Sequence, residues 1–324
     1  MSQAATNDRP GRAHKMVFFI LTLCVSAALV IWLLSATDPK AVRDALARAD
    51  LKLLALAGFA ALAVNALFAA DRWRVILARQ QIRLPFLQIV KIEMGCSPLK
   101  VFLPLKSGEL VKAYAVSRRS GAHFEQVIGS KIMDKYLVAA GQAIALMIGA
   151  MISAQWVIGI SGFAALMALL ALLHPAARKP LQIFAGKIHP RVEVLIQRLL
   201  SSFDSLPNST ILYLCLHSVI YNFFIVAYLA LCFMAVGVHA PAGVMITGLV
   251  LLQWAGLFPA SFSGLGVRES AAVILLAGYG SPAALFAGAL CATVVDQFLF
   301  PVAGLVFLPD FLSDMLKARS GEAS

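Results

Sequence analysis

The sequence predicts an all-α, polytopic integral membrane protein, and three observations carry that prediction. Hydrophobic residues make up 60% and charged residues 13% of the 324, against roughly 45–50% and about 25% in soluble domains. Such a chain cannot clothe a water-facing surface. Its apolar residues gather in runs of about 18–25, the length that crosses a bilayer as a helix. Most of its charge sits in short stretches between those runs.

Taken in chain order, the apolar runs predict full spans over 16–35, 51–70, 126–151, 155–173, 210–236 and 283–308. The first is long for a signal peptide and lacks a convincing small-residue cleavage site, so it is read as a retained span. Two further stretches are apolar but interrupted. Segment 86–120 is broken by Pro98, Pro104 and Ser107-Gly108, and segment 240–280 by Pro259 and Ser263-Gly264-Leu265-Gly266. Each is read as a broken helical hairpin, giving six full spans, or eight if the hairpins cross. Val42, Ala45, Leu46 and Ala49 form one amphipathic stripe and Val192, Leu195, Ile196, Leu199, Leu200 and Phe203 another. Both are read as helices lying on the membrane surface.

The loops set the orientation. The net charge is +11, but the bases occupy short loops, as cytoplasmic charge does in membrane proteins. No nucleic-acid-binding pattern accompanies them. Residues 1–15, loop 71–84 (Arg72, Arg74, Arg79 and Arg83 against Asp71) and loop 174–209 are basic, whereas loop 36–50 is balanced and 237–242 uncharged. The alternation puts the basic loops and both termini in the cytoplasm, with the chain in the cell's inner membrane. The domain division is then a cytoplasmic start (1–15), one transmembrane domain (16–308) and a cytoplasmic tail (309–324).

With that topology the chain falls into two halves of opposite direction, about 51–151 and 210–308. Each reads span, broken hairpin, span. FLPLKSGELVKAY (102–114) parallels FPASFSGLGVRES (258–270), and Asp134-Lys135-Tyr136-Leu137 parallels Asp296-Gln297-Phe298-Leu299. An inverted repeat around broken helices is the pattern of alternating-access transporters, whose sites lie at the repeat interface.

Charges inside the apolar segments mark the candidate site, because each costs about 2.5–3.5 kcal/mol at a helix centre on insertion scales unless paired or hydrated. From 205 to 308 the charged residues are Arg268, Glu269 and Asp296. Arg268 follows the Gly264–Gly266 turn at a predicted helix start, where backbone N–H groups, the helix dipole and a guanidinium suit a phosphate. The competing expectation is that Arg268 bridges Asp296 and locks the bundle. In the first half Lys106, Ser107, Gly108, Glu109 and Lys112 follow the hairpin break, with Lys131 and Asp134 one turn apart on the next span. Lys106, Lys112 and Arg268 are expected to bind a headgroup, Lys131 to add to the cationic concavity or snorkel, and Glu109, Glu269, Asp134 and Asp296 to balance charge or carry protons. His217, Tyr221 and Asn222 cluster on span 210–236 and are read as inter-helix hydrogen bonding. The five cysteines form no CxxC pair and are read as packing residues. No HExxH, GxSxG or GxxxxGKS motif and no metal-spaced carboxylate set appears, so neither cofactor nor metal is expected.

LPLKSGELVKAYAVSRRSG (103–121), Gly129-Ser130-Lys131 with Asp134-Lys135, and FPASFSGLGVRES (258–270) together resemble the transmembrane, flippase-like module of lysylphosphatidylglycerol synthases. The resemblance covers roughly 16–308, and SGLGVRE is its most specific part. Leu105-Lys106-Ser107 stands where similar sequences often read Gly-Arg-Ala. The module also occurs as free-standing prokaryotic membrane proteins, and this chain is read as one without the soluble aminoacyltransferase domain. The resemblance implies lipid translocation or lipid binding rather than aminoacyl transfer, and marks Gly264, Gly266, Arg268 and Glu269 for test. The expected partner is a membrane lipid with an anionic or zwitterionic headgroup. The alternative is a non-catalytic accessory subunit for a separately encoded lipid-modifying enzyme, and a membrane-embedded transferase is the weakest reading.

Overall fold

The computed structural model describes residues 9–102, 108–173, 197, 206–257, 261 and 264–309, and among these every regular element is helical. α1 (Arg9–Ala36) meets the short α2 (Pro39–Ala47) at 90°. α3 runs over Leu51–Arg79, followed by α4 (Phe86–Gly95), α5 (Ser97–Phe102), α6 (Gly108–Ser120), α7 (Phe124–Ile152) and α8 (Trp156–Leu173). The second half holds α9 (Asn208–Ala235), α10 (Ala242–Ala255), α11 (Val267–Leu275) and α12 (Pro282–Phe307).

The helix starts carry local reasons. Asp50 caps α3 by accepting from the Lys52 and Leu53 amides, and Ser281 caps α12 by accepting from the Ala284 amide with Pro282 at the first helical position. Such caps replace partners the first-turn amides otherwise lack. Among the described residues four helices, α3, α7, α9 and α12, are long and apolar enough to cross a membrane, and the bent α1–α2 pair makes a fifth if counted as one span. The apolar stretch of α8, Trp156–Ala171, reaches about 24 Å at about 1.5 Å per residue, against roughly 30 Å of hydrocarbon. Length alone therefore does not place it among the full spans. Leu56, Phe59, Val157 and Ile160 are exposed, an apolar surface suited to acyl chains rather than water.

α7 packs on α8, α9 and α10. Close approach explains one glycine there: a Cβ on Gly141 would lie 2.7 Å from the Ser218 carbonyl oxygen on α9. α3 and α12 each contain a π-helical stretch, Val64–Phe68 and Val294–Leu299, and the two helices touch near it, the Gly58 face of α3 lying against Leu299. Single π-helical turns widen a helix locally and recur at functional sites.

The main departure from expectation is at the end of α3. Residues 71–79 are not loop. The helix continues through them because Ala70, Trp73, Ile76 and Leu77 form a buried stripe at helical spacing, and Arg72 is buried rather than exposed on a loop. The amphipathic stripe at 42–49 is largely α2, with Val42 buried. The stripe at 192–203 lies outside the described residues, apart from Gln197, as do Lys106, Ser107, Pro104 and Pro259.

Candidate functional site

α3, α7 and the broken α4–α6 segment bring a line of opposite charges together inside the bundle. Arg72 Nε donates to Asp134 Oδ1 at 2.6 Å, and both side chains are 1% exposed. The guanidinium lies over the Tyr221 ring, 4.6 Å from its centroid, and its Nη1 is buried with no hydrogen-bond partner among the described residues. Asp134 Oδ2 lies 3.1 Å from Lys131 Nζ. Lys131 in turn donates to Glu93 Oε1 at 2.5 Å, and Lys112 donates to Glu93 Oε2. Glu109 stands farther off, 3.6 Å from Lys112, 3.8 Å from Lys131 and 3.3 Å from Lys135.

The positions follow from helix geometry. Lys131 and Asp134 are three residues apart and so share a face of α7, as do Glu109 and Lys112 on α6. Trp73, one residue past Arg72, lies beneath Lys131 with the ammonium 4.1 Å from its ring centroid, and its Nε1 donates to Ser130 Oγ at 2.9 Å. A cation over an indole face is attracted by the ring quadrupole, so Lys131 is held from below as well as by its carboxylates.

A cavity of about 200 Å³ opens against this line, far above the ~15 Å³ that one water needs. Arg72, Glu93, Lys112, Lys131, Asp134 and Lys135 line one part of it, Asn65 and Tyr221 another, and Asp296, Gln297, Phe300 and Pro301 of α12 a third. Four bases and three carboxylates in the lining leave one formal positive charge. In low dielectric a polar lining of that sign favours an anion.

The second broken segment meets the cavity wall at Asp296. Arg268 Nη1 donates to Asp296 Oδ2 at 2.9 Å, and Tyr228 and Gln297 also donate to the Asp296 carboxylate, each at 2.6 Å. Glu269 points elsewhere: it accepts from the Gly266 amide and from Thr293 Oγ1, both at 2.6 Å, and is wholly buried. Gly264 and Gly266 have φ of +85° and +84°, a conformation that glycine adopts without steric cost. A Cβ on Gly264 would lie 2.9 Å from Gly256 Cα, and one on Gly266 2.6 Å from Leu29 Cβ. Gly256 and Leu29 thus fill the space beside the turn.

Of the residues the sequence singled out, Lys112, Lys131, Asp134 and Asp296 line the cavity and Glu109 flanks it. Gly108 starts α6 and is buried. Gly264, Gly266 and Glu269 belong to the α11 start, away from the lining. Among His217, Tyr221 and Asn222, the asparagine Nδ2 donates across to the Val138 carbonyl at 3.2 Å and the tyrosine hydroxyl to Asn65 Oδ1 at 3.2 Å, while His217 Nε2 lies 3.8 Å from Asp71 Oδ2. Arg72, Asn65 and Gln297 are lining residues that sequence reasoning missed. The buried stripe on either side of Arg72 was the available signal. Cys96 and Cys232 are buried and Cys24 is exposed. Among the described residues no group of three or more His, Cys, Asp or Glu side chains could hold a metal ion.

Fold and site together define a multi-pass helical membrane protein with a charged cavity between its spans. The chain belongs to the family described as the lysylphosphatidylglycerol synthase TM region, which it matches over residues 19–304. The family is the membrane-embedded region of a lipid-modifying synthase, which ties the chain to membrane lipids. A comparison with individually curated proteins gave no match.

Proposed function

We propose that the protein is a flippase-like lipid translocator of the cytoplasmic membrane, taking a phosphate-containing headgroup into the cavity between the first broken hairpin and the last span. One observation carries the reading: a cavity lined by Arg72, Lys112, Lys131 and Lys135 sits among helices long and apolar enough to cross the bilayer. Intramembrane charges facing such a cavity mark substrate paths, and a cationic pocket between spans is how membrane proteins hold anionic headgroups.

Two ion pairs support an inverted repeat. Asp134 and Asp296 occupy corresponding places in the two parallel motifs, each is bound by an arginine, and both line the cavity. In this reading α8 and α10 also cross, the span count is six to eight, and both termini face the cytoplasm. Lys112 and Lys131 bind the phosphate, Arg72 adds a donor, Arg268 holds Asp296, and Asp134 and Asp296 balance the bases. The chain itself catalyses no aminoacyl transfer.

Purified protein reconstituted into liposomes with fluorescent phospholipid is expected to equilibrate the two leaflets. Lys112→Ala/Lys131→Ala is expected to slow that exchange at least about tenfold, the effect of losing about 1.4 kcal/mol of binding. Equal rates for wild type and the double variant remove the site. The family's description as one region of a synthase favours a second reading, an accessory subunit for a lipid-modifying enzyme. It requires stable co-purification of such an enzyme and no lipid movement by the chain alone.

A further inference from the structure

We infer that the cavity is an oxyanion site already occupied from within: Glu93 holds the place that a phosphate group takes, and the ligand enters by displacing it. The inference deepens the headgroup reading and rests on it for the lipid part of the ligand.

The Glu93 carboxylate uses one oxygen for Lys112 and the other for Lys131. It therefore spans two ammoniums as a bound oxyanion would, and it does so in the cavity wall. The two lysines are held independently of it. Lys131 is also 3.1 Å from Asp134 and lies over Trp73, and Lys112 lies 3.6 Å from Glu109. When Glu93 swings out, the cations stay. They then have to be matched by an incoming negative charge, since removing one partner of a buried pair leaves an uncompensated charge at high cost.

That requirement sets the ligand class. With a neutral headgroup, Lys112, Lys131 and Arg72 would face Asp134 and Glu109 with one negative charge too few. A phosphate supplies the charge and has oxygens to spare for the unpartnered Nη1 of Arg72, whose side chain is almost fully buried and lines the same cavity. A phosphomonoester, with up to two charges, matches two ammoniums and a guanidinium better than a diester does. Asp134 stays where it is, bonded to Arg72, so one carboxylate is exchanged and one retained.

An internal occupant lowers apparent affinity by the fraction of protein in which the site is vacated. Neutralising Glu93 removes that competition. The full chain in detergent is titrated with dihexanoyl phosphatidic acid, with dihexanoylglycerol as the phosphate-free control and with inorganic phosphate. Glu93→Gln is expected to lower the Kd for phosphatidic acid about tenfold, and adding Lys112→Gln is expected to abolish the gain. Should Glu93→Gln not fold, Glu93→Asp keeps the charge but is too short to span both lysines, and is expected to lower Kd about threefold. Unchanged or weaker binding in each folded Glu93 variant overturns the inference, as does equal binding of dihexanoylglycerol.

The two readings part cleanly on the same proteins. Tighter phosphate binding in Glu93→Gln with no lipid movement by any variant leaves displacement standing and removes translocation, more so if inorganic phosphate binds as tightly as the lipid. Lipid movement that needs Lys112 and Lys131, with no gain in the Glu93 variants, removes displacement and leaves translocation.

Discussion

The two broken segments are alike in sequence, each with a Ser-Gly pair ahead of a helix whose first turns carry a base and an acid, and end up doing different physical work. Beside the first, Lys112 and Lys131 share Glu93, Glu109 stands more than 3.5 Å from either, and Lys135 is 53% exposed. Beside the second, Glu269 bonds with both oxygens and is fully buried, and Asp296 accepts from three donors. Carboxylates so engaged are fixed by the protein's own donors and act as architecture. A site in a bilayer has to keep charge in excess and room beside it, and among the described residues the first segment has both.

The comparison breaks most visibly if the buried pair at its centre is removed. Asp134→Ala takes the carboxylate from the buried Arg72 and is expected to cost about 3–5 kcal/mol, read as a lowered midpoint of thermal unfolding in detergent. A cost under about 1 kcal/mol would mean that water already reaches the pair. Next in size is Gly266→Ala. Its Cβ would meet Leu29 at 2.6 Å with φ at +84°, an expected loss of about 1–3 kcal/mol. Phosphate binding by the folded fraction is expected to stay unchanged. A loss of binding out of proportion to stability would move the second segment from architecture into the site. The smallest effect is expected at Lys135→Ala, whose half-exposed ion pair with Glu109 is worth under about 0.5 kcal/mol. A larger loss of stability would show that the first segment is also a latch.

Most helices were legible in the sequence because hydropathy and period 3.6 report burial in lipid directly: α7, α8, α9 and α12 end within about two residues of the expected runs. Arg72 was not legible by the same signal. Four bases between 72 and 83 depress hydropathy as a loop does, and only the Ala70, Trp73, Ile76, Leu77 stripe shows that the helix continues. Lys112, Lys131, Asp134 and Asp296 stood out because a charge in an apolar run needs a reason. Their partners did not, since Arg72 and Asp134 lie 62 residues apart and nothing local in either segment encodes the meeting. Gly264 and Gly266 illustrate a deeper ambiguity. A glycine that admits a ligand oxygen and one that admits a neighbouring backbone are the same letter, and here Gly256 and Leu29 occupy the space.

Trp73 has a consequence of another kind. It is fully buried, whereas Trp32 and Trp156 are exposed, and it carries the ammonium of Lys131 4.1 Å above its ring. Indole emission shifts with the field of a charge that close, and Lys131 changes its partner whenever an anion takes the place of Glu93. With the other three tryptophans replaced by phenylalanine, the colour of one residue would report the occupancy of the cavity in real time, in a membrane and without a label.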